Sequence, residues 1–195
     1  MIFTGDVHRL NDTSVDTDRM FPARFLKTTR QDNLGDLFFY DERHDDAGQP
    51  LPAGPFARPP RRPAILLAGA EFGCGSSREH AVWALRDFGF HVVVTSGAGD
   101  IFRRNCSRNR VLLAGVSGED LQALLLAEPA ELTLDTTGGT ITACSGLQVP
   151  FSADGFGLYC FRQGTDIIDY LLDPELPVAA TMARQFYHNR TGGSW

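Results

Sequence analysis

Ala64-Ile65-Leu66-Leu67-Ala68-Gly69, followed by Gly73-Cys74-Gly75-Ser76-Ser77-Arg78-Glu79-His80, is the stretch that decides the fold. The first run has the length and apolar composition of a buried strand. Ala81, Val82, Leu85 and Phe88 then recur at helical spacing. A strand that turns through glycines into a helix is the unit of an α/β domain. The turn itself reads as chemistry. It predicts a helix whose first turn carries two hydroxyls and a guanidinium, and such a helix start offers free N–H groups and a positive dipole end to an anion.

A structural reading of the same residues competes. Ser76 and Glu79 fit the S-x-x-E capping box, in which both side chains satisfy backbone N–H groups at a helix start. Spacing alone leaves both readings open. The box does not require Ser77, the two glycines or Arg78. Familiar templates are not met: no lysine follows the glycines as in a phosphate loop, and neither G-x-G-x-x-G nor the G-x-S-x-G of a hydrolase elbow is completed.

Composition narrows the classes further. The 195 residues suit one domain spanning 1–195, and 43% hydrophobic with 22% charged residues is ordinary for a soluble globular protein. A formal charge of -6 argues against nonspecific nucleic-acid binding. No apolar run is as long as a membrane span, and the opening Met1-Ile2-Phe3-Thr4-Gly5-Asp6 is too polar for a signal peptide. Cys74, Cys106, Cys144 and Cys160 lie far apart with no C-x-x-C pair, so spacing gives neither a self-contained zinc or iron–sulfur site nor a disulfide framework. The expected compartment is the cytoplasm.

Along the chain, residues 34–63 lack periodicity and combine a charged run, Asp41 to Asp46, with a proline-dense stretch holding Arg58, Arg61 and Arg62. A long loop is expected there: a substrate lid, a docking surface or a solvated insertion. His91 to Thr95 reads as a strand, Gly97-Ala98-Gly99-Asp100 as a turn into a short helix through Ile101 and Phe102. Ser117 caps a helix over Leu121, Leu124 and Leu125. Glu131 to Asp135 and Thr140 to Cys144 form a hairpin around Thr137-Gly138-Gly139. The remainder is expected to be helical with breaks at Gly164 and Pro174 and a frayed tail over 189–195. The whole predicts a mixed β core flanked by helices.

A second constellation lies near the N-terminus. Asp16-Thr17-Asp18 precedes Phe21-Pro22-Ala23-Arg24-Phe25-Leu26-Lys27, and Arg30 follows. Taken alone, the aspartates are turn residues or helix caps and Arg30 a surface charge. Together with Glu71 to Ala81, Trp83-Ala84-Leu85, and Asp100-Ile101-Phe102 with Asn105, this block resembles the small subunit of 3-isopropylmalate dehydratase, the detached swivelling domain of the aconitase superfamily. The likeness is closest from about Val15 to Val116 and looser beyond.

That resemblance implies an α/β swivel domain and a hydro-lyase active only with a large partner subunit. The partner would hold a 4Fe-4S cluster on its own cysteines and act through it as a Lewis acid on a small hydroxy diacid. The small subunit would close over it and bring a serine that removes the Cα proton. Carried across by motif position, the serine falls on Ser76. Ser77 and Arg78 would stabilise its alkoxide, and Arg30, Arg78 and Ser77 would bind substrate carboxylates, the arginines through their planar forks. Asp18 would orient a charged neighbour. The expected product is interconversion of 2- and 3-isopropylmalate in leucine biosynthesis. The same chemistry on homoaconitate or a methylmalate is the alternative, and a non-catalytic anion-binding module is a third. Two departures bear on substrate choice: the 34–63 segment, and Arg103 to Arg110, where four arginines replace the uncharged residues usual in the family.

Overall fold

The computed structural model describes residues 1–27 and 33–165. In chain order the elements are β1 (Ile2–Leu10), α1 (Thr17–Met20), α2 (Tyr40–Arg43), β2 (Ala64–Ala68), α3 (Glu79–Phe88), β3 (Phe90–Thr95) and α4 (Asp100–Arg108). They continue with β4 (Leu112–Gly115), α5 (Gly118–Ala127), β5 (Glu131–Asp135), β6 (Thr140–Ala143), β7 (Gln148–Pro150) and α6 (Gly155–Gln163). All seven strands join one sheet in the order β4-β3-β2-β1-β5-β6-β7. Strands β1 to β4 pair in parallel and β5 to β7 antiparallel, with β1 at the junction.

Each half has the side-chain pattern its pairing demands. Every residue of β2 is buried, since parallel strands are covered on both faces and read as unbroken apolar runs. In β5 and β6 only alternate residues, Leu132, Leu134, Ile141 and Ala143, are buried. The sheet separates two apolar clusters. On one face Leu66, Phe90 and Val93 pack with Ala81, Val82, Leu85 and Phe88 of α3 and with Phe102 of α4. On the other, Ile65, Leu67, Val92 and Val94 pack with Leu121 and Leu124 of α5 and with the antiparallel strands. The sheet also curls. Gly115, at the end of edge strand β4, exchanges two backbone hydrogen bonds of 2.8 Å with Ser152, just past β7.

Several expectations hold: β2, β3, the Ser117-capped α5, the β5–β6 hairpin and a helix ending at Gly164, although the remainder expected to be helical first adds strand β7 to the sheet by pairing with β6. Others need correction. The short helix after Gly99 runs on to Arg108, so most of the arginine-rich run is helical, with Arg103, Arg104 and Arg108 on its solvent side and Phe102 and Cys106 on its buried side. Strand β1 carries no apolar run, yet it sits at the centre of the sheet. The break at Pro174 and the tail over 189–195 lie outside the described residues.

The 34–63 segment is mostly irregular and largely exposed beyond Asp45, but it anchors in the core through a few buried residues. Phe38, Phe39 and Phe56 are fully buried; Phe38 and Phe56 meet Phe88 and Phe90, Phe39 packs on Phe38 and Phe56, and Phe38 lies 5.2 Å from both Phe56 and Phe88 between ring centroids. The guanidinium of Arg43 organises this backbone. Its Nε donates to the Phe56 carbonyl and its Nη1 to the carbonyls of Gly35, Asp36 and Phe38, while the group lies 4.6 Å over the Phe88 ring. Gly35 fits against the end of α3 because an added Cβ would sit 2.8 Å from the backbone of Asp87 and Phe88. Removing Phe56 should therefore act as a core truncation. Phe56→Ala is expected to cost about 3–5 kcal/mol in urea unfolding, and a cost near zero would return the segment to the solvated class.

His91 occupies the β3 side of the register shift between β2 and β3. Burial, and then Arg86 nearby, hold its pKa below 6.5. A histidine with a folded pKa below its unfolded one binds more protons when unfolded. It therefore withdraws stability as pH falls below 6.5 and is silent well above it. The urea midpoint of the unmodified chain is expected to fall more between about pH 7 and about pH 5 than that of His91→Gln. Equal falls would refute this assignment.

Candidate functional site

Ligands in parallel α/β sheets bind beyond the carboxyl ends of the strands. Here the loops leaving β1, β2 and β3 meet at that end and extend the sheet by isolated parallel bridges, Asp16 to Cys74 and Phe72 to Ala98. Main-chain hydrogen bonds stitch the loops together: Gly73 N–H to Val15 O at 2.8 Å, Thr17 N–H to Cys74 O at 3.1 Å, Phe72 N–H to Gly97 O at 3.0 Å. The two sequence constellations, far apart in the chain, are thus one object.

Asp16, Thr17 and Asp18 divide the work. The Asp16 carboxylate caps α1 by accepting from Arg19 N–H at 2.7 Å. Thr17, 2% exposed, donates its hydroxyl to the Ser76 carbonyl at 2.8 Å. Asp18 forms an ion pair with Nη1 of Arg78. That nitrogen is buried and, among the described residues, has no aligned hydrogen-bond acceptor, so the contact is one of charge. The Arg78 side chain is 14% exposed against 53% for Asp18, so the guanidinium lies inward of its carboxylate. Among the described residues, Arg78 is a charged neighbour within reach of Asp18.

The capping-box reading is not met. Helix α3 begins at Glu79, with Arg78 at the cap position in extended conformation and no side-chain cap bond. Ser76 and Ser77 stand in the loop before the helix, not in its first turn, and both are exposed. Glu79, the expected box partner, instead accepts from the Asn109 amide at 2.8 Å, and Asn109 in turn accepts from Trp83 Nε1 at 2.9 Å. This chain of bonds fastens the start of α3 to the end of α4. Arg30 lies outside the described residues.

Two glycines make the serine loop possible. Gly73 has φ +70° and its Cα lies against the Phe102 ring, which any Cβ would penetrate. Gly75 has φ +89° but its nearest neighbour, the Asp16 Cβ, would be 3.4 Å from an added Cβ. Outside the serine loop, Ser14 and Glu71 also adopt positive φ, and the Ser14 hydroxyl donates to Glu71 at 2.6 Å, a clasp between the β1 and β2 loops for which the sequence carries no signal.

Two cavities of about 480 and 550 Å³ open elsewhere. The first lies beside Ser96, Arg103, Ser117 and Asp120, the second beside Arg86, His91 and Phe161. Ser76, Ser77 and Arg78 line neither. Ser76 and Ser77 are exposed, and Arg78 lies inward beside Asp18. Among the described residues no three His, Cys, Asp or Glu side chains gather as a metal site. Cys106 and Cys160 are buried, and burial pushes the Cys106 thiol far above its ordinary range. The described side chains of this chain therefore do not fit an iron–sulfur cluster as its ligands.

The sequence profile of the aconitase C-terminal domain family matches residues 2–116. The 3-isopropylmalate dehydratase small subunit of Koribacter versatilis is 40% identical over 176 residues, 88% of this chain and 90% of that protein. The chain belongs to the 3-isopropylmalate dehydratase small subunits of the aconitase C-terminal domain family. The small subunit of Roseiflexus castenholzii is 39% identical over 184 residues, 92% of this chain and 90% of that protein. In fold, this small subunit is similar to the crystal structure of 3-isopropylmalate dehydratase from Methanocaldococcus jannaschii. The TM-score is 0.66 at 22% identity, covering 98% of this chain and 100% of that one. The family match spans all three site loops and ends just past β4.

The two glycines give a direct test of the loop. Gly75→Ala is expected to cost about 1–2 kcal/mol, the price of a left-handed alanine. Gly73→Ala adds the clash with Phe102 and is expected to exceed that by at least about 2 kcal/mol in urea unfolding. Equal costs would mean that the ring does not confine Gly73.

Proposed function

We propose that this chain is the base-bearing small subunit of a heteromeric 3-isopropylmalate dehydratase, interconverting 2- and 3-isopropylmalate by dehydration and rehydration in leucine biosynthesis. The observation that carries the reading is Ser76 exposed on a glycine-hinged loop, two residues from an inward-lying Arg78 paired with Asp18. Such an exposed alcohol suits a site completed by a second polypeptide.

In this reading the large subunit carries a 4Fe-4S cluster, which supplies Lewis acidity toward the substrate hydroxyl. The residues of this chain do the rest. Ser76 Oγ, as alkoxide, takes the proton from the carbon next to a carboxylate while hydroxide departs from the neighbouring carbon, leaving an alkene diacid. Return of the proton and hydroxide to exchanged carbons gives the isomer. A serine is a weak base unless its anion is stabilised. The Arg78 guanidinium and the Ser77 hydroxyl are the preorganised donors for that charge, in a site that closure would dry. Arg78 and Ser77 also bind a substrate carboxylate, and Arg30 is assigned the second by its motif position. Asp18 restrains the Arg78 fork and takes no part in proton transfer.

The test is reconstitution with a cluster-loaded large subunit, following the rise of alkene absorbance from 3-isopropylmalate or methylmalate beside its fall on hydration of homoaconitate. Turnover of 3-isopropylmalate above the others supports the assignment, and preference for another diacid reassigns the substrate. Ser76→Ala is expected to lower kcat by about three orders of magnitude or more while folding and assembly persist. A loss of only a few fold would remove Ser76 from the chemistry. Arg78→Lys, which keeps the charge but loses the fork, is expected to raise KM by at least about tenfold.

A further inference from the structure

We infer that Thr17 is the positioning residue for Ser76, fixing through one hydroxyl the direction in which the proposed base points. The inference rests on the function proposed above. Ser76 follows Gly75, a positive-φ residue with, among the described residues, nothing but Asp16 Cβ and Thr17 Oγ1 within 4 Å of an added Cβ, so the loop is sterically loose on that side. The side chains of Ser76 and Ser77 are exposed and packed against no core. What holds the residue is its carbonyl, which accepts from Arg78 N–H at 2.9 Å and from the Thr17 hydroxyl at 2.8 Å. The first bond is local and moves with the loop. The second comes from a buried side chain on α1, fifty-nine residues away, whose own N–H is already committed to Cys74 O at 3.1 Å.

Thr17 therefore reaches the serine loop at two points, Cys74 by its backbone and Ser76 by its hydroxyl, with the Gly75 hinge between them. Clamping both sides of a glycine removes its freedom to turn. The peptide plane after Ser76 is fixed, and with it the direction of the Cα–Cβ bond that carries Oγ. The next residue of α1, Asp18, grips Arg78 on the far side of the serines. One short helix thus sets the base and the cation that stabilises it relative to each other. The hydroxyl touches backbone, not the reacting atoms, so its effect falls on geometry and not on binding.

The experiment compares Thr17→Val, isosteric but without the donor, with Thr17→Ser, which restores it, each assembled with the cluster-bearing large subunit. Thr17→Val is expected to lower kcat on 3-isopropylmalate by about 10- to 100-fold, the range for a small misplacement of a reacting group, with KM changed less than about twofold. Thr17→Ser is expected to recover most of kcat. A Thr17→Val enzyme with full kcat, or one whose lost turnover only matches its unfolded fraction in a thermal melt, overturns the inference. Amide hydrogen exchange over residues 75–78 of the chain by itself reports the clamp without turnover: faster exchange in Thr17→Val supports it and unchanged exchange refutes it. If the unmodified complex fails on 3-isopropylmalate while the exchange difference stands, the substrate assignment fails and the clamp survives.

Discussion

Contact between the Cα of Gly73 and the ring of Phe102 is the constraint on which the site depends. It lets the loop after β2 pass close over the start of α4, where Gly99 N–H reaches Phe72 O at 3.2 Å. Only from that position can Gly73 N–H meet Val15 O and the β1 loop lie alongside. Push the loop off the ring and the bridges Asp16 to Cys74 and Phe72 to Ala98 lose their geometry together. The apolar core on that face thus reaches through one aromatic side chain to the surface where the serines stand.

The polar site and the core are coupled at a second level. The segment between α1 and β2 delivers three buried phenylalanines beneath α3, and Arg43 satisfies four of its backbone carbonyls from a single guanidinium. Arg19, bridging Asp12 and Glu42, ties α2 to the loop that carries Asp16 to Asp18. Helix α3 is consequently held at its base by aromatic packing and at its start by the Glu79–Asn109–Trp83 chain. A rigid α3 keeps Arg78, at its cap position, fixed relative to Asp18.

Much of this is legible in the residues. Runs such as Ala64–Ala68 and Val92–Val94 admit little but buried strands, and Ser117 with Asp120 behind it marks a helix start. The serine block reads as chemistry because glycine, hydroxyl and arginine crowd together there, whereas the aspartate block stands out only through the family resemblance. What is not legible depends on partners distant in sequence. Strand β1 reads Thr4, Asp6, His8 on alternate positions and has no apolar run; it becomes central because its backbone pairs with β2 on one side and β5 on the other. Phe38, Phe39 and Phe56 follow no period because the backbone around them is irregular, and their burial is decided by distant rings, Phe88 and Phe90 for Phe38 and Phe56, and those two for Phe39. The S-x-x-E spacing suggests a cap that tertiary contacts divert, since Glu79 is engaged by Asn109.

Asp16, Thr17 and Asp18 face three different targets from consecutive positions: the start of α1, the serine loop and the arginine beyond it. Side chains one residue apart on a tight helical turn diverge by a large angle, so the assignments cannot be shared or traded. A single-codon insertion or deletion in this loop would cross-wire all three at once, offering a carboxylate where a hydroxyl donor is needed. The spacing of this triplet from β1 is consequently as binding on the chain's evolution as the identity of its letters, and drift in length is confined to loops elsewhere.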